Sequence, residues 1–597
     1  MKKKRNWLAL AGVTLLSASV LVACGSKSST SSKAPETTFP AEVTHDGDAI
    51  SGGQLNYAIV AASTSTGLLI DELTDNNVDS TFGGMVDSSM FGYDGNRKLD
   101  DSGLAKVDFD IEGKKLTVTL TGKDYKWSDG EAFTIDDYIF TIKAMADKGY
   151  TGVRFDDRFT NIVGMDEFVA GTATDISGLE KVDDYTVVLN VKEMTPSMMY
   201  AGGNVPAFVM PEHIYKDIPV ADWEASEYSR TAKHVGMGPF KVKDIVSGES
   251  VTFVANENYF KGKPKLDSVK MDIVSPDTIV SEMKAGNYDI ADMPTDQLDS
   301  YKDLSNITVT GSLASVYEYI SFNLGTYDET AKKNVMNESA KMNNVNLRQA
   351  IAYAIDTKQA GEALYNGLYR PANSLIISFF GDVHDSELPG YTYDPEKAKE
   401  LLDEAGYKDV DGDGLREDPN GEKLTINFAA RKRTEANETL IQQYLTWWKE
   451  VGLDVQLYTG RTIEINSFYD MLQANDANID MYAGGWSTGY DPDPTGLWGP
   501  SAMFNFSRFV SDENTALLKA IASVESFDEK TNVENFKKWQ QYAYEQAFAI
   551  PTFENEELTA VNKRVKYFDN YYGSASKGSV QAWEKVELTA DKGVVSE

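Results

Sequence analysis

No single hydrophobic core can organise a chain of 597 residues, because buried interiors stop growing at about 250–300 residues and longer chains divide into domains. At least two domains are therefore expected. A hydrophobic content of 42% lets each of them bury a substantial interior and excludes a disordered chain. The formal net charge of −35 argues against nucleic acid as a partner, since its phosphates would be repelled, and leaves a soluble surface open to cationic ligands.

The first residues stand apart from any such domain. Lys2, Lys3, Lys4 and Arg5 precede an apolar run from Trp7 to Ala23 that Gly12, Thr14, Ser17 and Ser19 interrupt, the pattern of a secretory signal peptide rather than a membrane span. Leu21, Val22, Ala23, Cys24 and Gly25 resemble the lipobox of bacterial lipoproteins. That resemblance implies cleavage after Ala23, a diacylglyceryl thioether on Cys24 and anchoring to the outer face of the cell membrane. The alternative is an ordinary signal peptide; it leaves an exported chain with a free thiol, because Cys24 is the only cysteine and has no internal partner. Residues 24–51 read as the lipidated cysteine and a flexible tether rich in Ser, Thr, Lys and Pro. The folded chain is expected to begin near Gly52.

Gly52 to Val60, Leu116 to Leu120 and Thr186 to Val191 alternate as half-buried strands. Between the last two, Ser128, Asp129 and Gly130 supply a turn and Thr134 an N-cap. Asp136 and Asp137 follow in the first helical turn, with Tyr138, Ile142 and Met145 on one face. On physical grounds this is a packing motif. Further on, Leu347, Ile351, Ala354 and Ile355 make one helical stripe. Asp394, Pro395 and Gly406 mark the start and end of a helix whose Ala398, Leu401, Leu402 and Ala405 face inward. Leu440, Ile441, Tyr444, Leu445, Trp448 and Val451 recur at helical spacing and read as core.

The stretch from Lys126 to Thr141 also resembles the W-S-D-G-x-x-x-T-x-x-D-[VY]-x-F-[ST] signature of the family 5 extracellular solute-binding proteins, the peptide-binding lipoproteins that serve ABC importers. The likeness recurs in order along the chain: Gly236 to Phe240, with Met237 where a hydroxyl residue is usual; Asn256 to Asp267; Tyr319 to Asn323 and Asn346 to Asp356; and Tyr393 to Gly406. It implies an α/β protein with a two-lobed, periplasmic-binding-protein-like fold and an additional small domain inserted in the first lobe. The first lobe is expected to take residues 52–95, 206–315 and 541–597, the inserted domain 96–205 and the second lobe 316–540. The resemblance further implies a monomeric, non-enzymatic receptor without cofactor, which binds oligopeptides in the interlobe cleft and passes them to the transmembrane subunits of an ABC importer. A surface hydrolase and a non-transport adhesin or signal-peptide receptor on the same fold are the competing readings. Dipeptide, nickel and haem binders are the alternatives within the family; the absence of a histidine or cysteine cluster disfavours the last two.

The ligand is expected at the stretch from Asp480 to Pro494. Ile479, Met481 and the small residues after them suit a strand, whereas Pro492 and Pro494 forbid helix and leave backbone groups unpaired. Gly485 to Gly489 matches the G-x-S-x-G of a hydrolase nucleophile elbow, but the prolines block the helix that must follow. The last of the four histidines, His384, also precedes Ser487, against the elbow's chain order. The family resemblance places Gly485, Trp486 and Ser487 on the peptide-pairing strand, the glycine giving backbone access and the indole a wall. In relatives that grip the peptide's α-amino group, an aspartate stands where this chain has Gly489. Either Asp491, beside Tyr490, replaces that anchor, or the terminus is left free. From Asp409 to Glu417, acidic residues at positions 1, 3, 5 and 9 with Gly414 at 6 suit a hand-type calcium loop, but Asn420 stands where a bidentate Glu closes such loops. A tight turn and a weak calcium site both fit it, and the scattered histidines form no zinc site.

Overall fold

Two long antiparallel strands, Ile307–Phe322 and Ala549–Asn562, carry the architecture of this computed structural model, which describes residues 37–61, 64–74, 76–570 and 582–597, without the side chain of Asn466. Their β-branched and aromatic residues suit a long strand buried on both faces. Met481–Ser487, Thr425–Ala430 and Asp454–Leu457 extend the sheet from the first of them. Ile290–Met293, Gln54–Val60, Ser268–Val274, Ser250–Ala255 and Phe240–Val246 extend it from the second, and Tyr369–Pro371 adds a short eleventh strand. The central ladder is not continuous. Residues 307–313 pair with 556–562 and residues 317–321 with 549–554, with the register shifting between Leu313 and Tyr317.

A separate core lies on each side of that break. Leu55, Phe253, Val269 and Trp583 belong to one, and Phe322, Ile351, Trp448 and Trp539 to the other. The fold is therefore two-lobed α/β, with the long strands shared by both lobes. A second sheet stands outside it in the order Ala105–Asp110, Lys115–Leu120, Thr186–Asn190, Leu179–Asp183. Helix Ile135–Met145 packs there around Trp127 and Tyr138, in a third core.

The turn expected at Ser128 is a joint within the protein. Ser128 donates its N–H to Gly236 O at 3.0 Å, and Gly236 returns its N–H to Ser128 Oγ at 3.2 Å. A Cβ on Gly236 would lie 2.1 Å from Val86 O, so only glycine fits. Met237 is buried in the third core, and its carbonyl accepts from Ser88 Oγ at 3.2 Å. The helix after the turn begins as expected, with Thr134 and Asp137 closing a reciprocal capping box. Helix Pro395–Glu404 likewise starts at Asp394, whose carboxylate accepts Lys397 N–H at 2.9 Å. Helix Glu435–Glu450 buries Leu440, Ile441, Tyr444 and Trp448.

The tether is shorter than its composition suggests. Thr38 and Phe39 donate their N–H groups to the Glu556 carboxylate at 2.8 and 3.0 Å, and Glu42–Thr44 forms a strand on Tyr567–Asp569. The expected start near Gly52 is therefore too late. This segment is held through its backbone, which a reading of apolar periodicity does not register. Cys24 and the leader lie outside the described residues. In the loop from Asp409, that carboxylate accepts the N–H groups of Gly412 at 2.6 Å and Gly414 at 3.0 Å, and Glu417 accepts from Val410 N–H at 2.8 Å. The carboxylates thus close a turn. Oxygens of Asp409, Asp411 and Asp413 lie within 4.8 Å of one another, all on exposed side chains.

One buried ion pair ties the first lobe together. The Arg564 guanidinium meets Asp289 at 2.6 Å and the carbonyls of Gln54 and Asp591 at 3.0 and 2.7 Å, and Asp289 also accepts Asn56 N–H at 2.7 Å. Asp289→Ala strands a buried guanidinium, so it should cost about 3–5 kcal/mol. Denaturant unfolding checks this; a loss below about 1 kcal/mol contradicts the assignment.

Candidate functional site

The strand Met481–Ser487 pairs antiparallel with residues 316–322. Thr488 donates its N–H to Ser315 O at 2.8 Å, which sets the alternation of this ladder. The backbone groups of Gly484 and Trp486 face the long strand, and those of Gly485 and Ser487 face the opposite edge. Tyr469 reaches the Gly485 carbonyl from that opposite side, its hydroxyl donating at 3.2 Å. The strand Thr425–Ala430 covers the edge only as far as Ala483. Beyond it, no described strand pairs with residues 484–487 on the side away from the long strand, and such an edge can accept an added strand.

The side chains around this edge explain its sequence. A Cβ on Gly485 would lie 2.7 Å from Arg431 Nη2 and 3.0 Å from Glu318 Oε2, so the glycine also makes room for side chains packed behind it. Arg431 and Arg433 both pair with Glu318. Trp486 is half-buried, with its ring 5.7 Å from that of Phe504. Ser487 is exposed. The sheet continues into a cavity of about 880 Å³, whose wall includes Ser312 on the same long strand as Ser315. The other walls come from the carboxyl ends of the parallel strands Gln54–Val60 and Ile290–Met293, from helix Asn77–Val86 and from residues 555–559. Open α/β sheets bind ligands beyond the carboxyl ends of such strands, and the volume sits near the top of the usual range of about 300–1,000 Å³.

Tyr490 and Asp491 lie elsewhere. The Tyr490 ring stands 5.4 Å from Tyr93 and 5.9 Å from Phe379, stacked on the latter. The Asp491 carboxylate accepts hydrogen bonds from Ser197 Oγ and from Asp493 N–H, the latter at 3.0 Å. Both residues belong to a junction that Asn96 to Asp382 (2.9 Å), Lys98 to Glu529 (2.8 Å) and Tyr200 to Asn532 (3.1 Å) extend. The structure thus gathers Gly485, Trp486 and Ser487 on one strand and sets Tyr490 and Asp491 against the inserted sheet region. Sequence reasoning missed Tyr469, Glu318 and the cavity wall. The Arg431 and Arg433 pair was visible as a basic run, but nothing near it in the chain named Glu318 as its partner.

Among known proteins, the sequence model for bacterial extracellular solute-binding proteins, family 5 middle, matches residues 102–507. The oligopeptide-binding protein OppA of Lactococcus lactis subsp. cremoris (strain SK11) is 34% identical over 98% of this chain and 98% of its own length. The oligopeptide-binding protein AppA of Bacillus subtilis (strain 168) is 25% identical over 98% of this chain and 99% of its own. The solved structure of lactococcal OppA, complexed with an endogenous peptide in the closed conformation, superposes with a TM-score of 0.73 at 33% identity, covering 90% of this chain and all of that one.

Burial, and then the charge of Asp493, push the Asp491 carboxyl up to about 7, against the hydrogen bonds from Ser197 and the Asp493 amide. An acid raised in this way holds a proton when folded that the unfolded chain has already released. Its favourable contribution is therefore lost as pH rises from the ordinary carboxyl range through about 7. Asp491→Asn keeps an acceptor for Ser197 and removes the ionisation. It should raise the melting temperature at about pH 8 and flatten the decline between about pH 5 and pH 7.5. A melting profile identical to that of the native protein contradicts this.

Proposed function

The chain belongs to the bacterial extracellular solute-binding proteins of family 5, and we propose that it is an extracellular receptor that binds oligopeptides and delivers them to the membrane subunits of an ABC importer. The observation that carries this reading is the strand edge at Gly485 and Ser487, which no further described strand covers, in a sheet whose strands also wall a cavity of about 880 Å³. A receptor for many sequences gains its affinity from what all peptides share, the backbone, and adding the peptide as a further strand does so. Gly485 and Ser487 supply backbone groups, and Trp486 supplies apolar wall. The oligopeptide-binding names of the lactococcal and Bacillus relatives, and the endogenous peptide in the lactococcal structure, support the substrate class.

The receptor works without catalysis. In support, His45 meets Val565 O and Thr308, His213 meets Asp129, His234 meets Asp87 and Tyr228 O, and His384 meets Ile376 O, so that none of the four histidines is hydrogen-bonded to Ser487. Asp491 serves the junction with Ser197 rather than the peptide's amino end, so the terminus is not anchored there and peptides of different length fit. Tyr490 joins the same junction, and ligand closes the two lobes as rigid bodies across it. We take the lobes and inserted domain near the expected ranges, with the first lobe extended at its amino end to the segment around Thr38 and residues 542–553 assigned to the second lobe, in whose core Tyr542, Phe548 and Phe553 pack. Cys24 carries a lipid that holds the monomer at the outer face of the cytoplasmic membrane. Among the described residues, no helix is long and apolar enough to cross a membrane.

Native purification followed by denaturation and mass spectrometry should release a mixture of intact oligopeptides. Release of none, together with no calorimetric binding of added peptides, overturns the receptor reading, and recovery of cleaved products favours a hydrolase. Cys24→Ala should move the protein from the detergent phase to the aqueous phase in phase partitioning. Unchanged partitioning rules out the lipid on Cys24.

A further inference from the structure

The cavity walled by the main sheet has a chemical bias of its own. Asp292 pairs with Thr559 on the adjacent antiparallel strand, and Glu557 lies two residues before Thr559, so the two carboxylates share one face of the sheet as diagonal neighbours. Both line the cavity. No lysine, arginine or histidine is among its described wall residues. Asp292 accepts from Thr559 Oγ1 at 3.2 Å and from the Tyr57 hydroxyl at 3.3 Å, whereas the Glu557 side chain has no hydrogen-bond or ion-pair partner among the described residues. Glu556, the next carboxylate, differs: it is buried and satisfied by the N–H groups of Thr38 and Phe39.

Both side chains are open to the solvent of the cavity, and with no cation among the described wall residues each carboxylate raises the other's negative potential. Both carboxyls are shifted upward, by the surrounding wall and, for Glu557, by the charge of Asp292. An ammonium or guanidinium group placed between them relieves this repulsion and forms charge-assisted hydrogen bonds. We propose that Glu557 and Asp292 select peptides that bring a cationic group, a Lys or Arg side chain or a free α-amino terminus, into this cavity. The inference rests on the oligopeptide-receptor reading and names the ligand chemistry of the same site.

Calorimetry with four synthetic heptapeptides tests it: one central Lys or norleucine in an otherwise Ala/Ser sequence, each with a free or an acetylated amino end. The native protein should bind better whenever a cation is present, by about tenfold between the free Lys peptide and the acetylated norleucine peptide. Loss on acetylation assigns the site to the terminus, and loss on Lys→norleucine assigns it to a side chain. Glu557→Gln should abolish most of the preference and leave the acetylated norleucine peptide bound as before; Asp292→Asn should do the same. Equal binding of all four peptides by the native protein, or a preference that survives both substitutions, overturns the proposal. Failure of any peptide to bind, including those eluted from the natively purified protein, instead overturns the receptor reading.

Discussion

The hydrogen-bonded ladder between Ile307–Phe322 and Ala549–Asn562 is the constraint on which the rest of the structure depends. Every other strand of the main sheet is added outward from one of these two. The register shift between Leu313 and Tyr317 divides the ladder into two paired halves, and a separate apolar core condenses on each. Unpaired backbone cannot be buried cheaply, so the residues around the shift border space that solvent or ligand can occupy. Ser312 lies there in the cavity wall, and Ser315 holds Thr488. The long strand Ile307–Phe322 thus carries both the cavity wall at Ser312 and, through its pairing with residues 481–487, the strand whose outer edge is uncovered.

The second organising feature is the junction between the inserted sheet region and the second lobe. Its contacts are mixed: Phe109 on Phe527 at 5.9 Å, the Arg97 guanidinium 4.2 Å over Phe379, and polar pairs such as Asn96 with Asp382. Surface polar pairs of this kind each contribute little. A junction built from them is suited to forming and releasing, in contrast to the buried Arg564 and Asp289 pair, which only unfolding would separate.

Much of the fold was legible because its signals are local. Thr134 with Asp137, Asp394 with Pro395 and the stripe through Leu440 and Trp448 each declare a helix within one or two turns. The strand at Gly485 to Ser487 was legible from its small residues and the prolines that follow. What stayed hidden depends on partners remote in sequence. Glu42–Thr44 is a strand only because Tyr567–Asp569 lies beside it. The direction of the Gly485 backbone follows from the bond between Thr488 and Ser315. Asp491, open in the sequence to a role as peptide anchor, meets Ser197 in the distant 3-10 helix Pro196–Met199. Glu557 and Asp292 carry no motif; their meaning lies in sharing one face of one cavity.

The central claim is that affinity comes from the peptide backbone pairing with the edge at Gly485 and Ser487. Backbone N-methylation, one residue at a time along a bound peptide, tests it most directly, because it removes a single N–H donor and leaves the side chains in place. The account predicts a period of two: about tenfold loss of affinity at alternate positions within one short stretch, and little change between them. An even response along the peptide, with no alternating positions of loss, would contradict capture by strand addition.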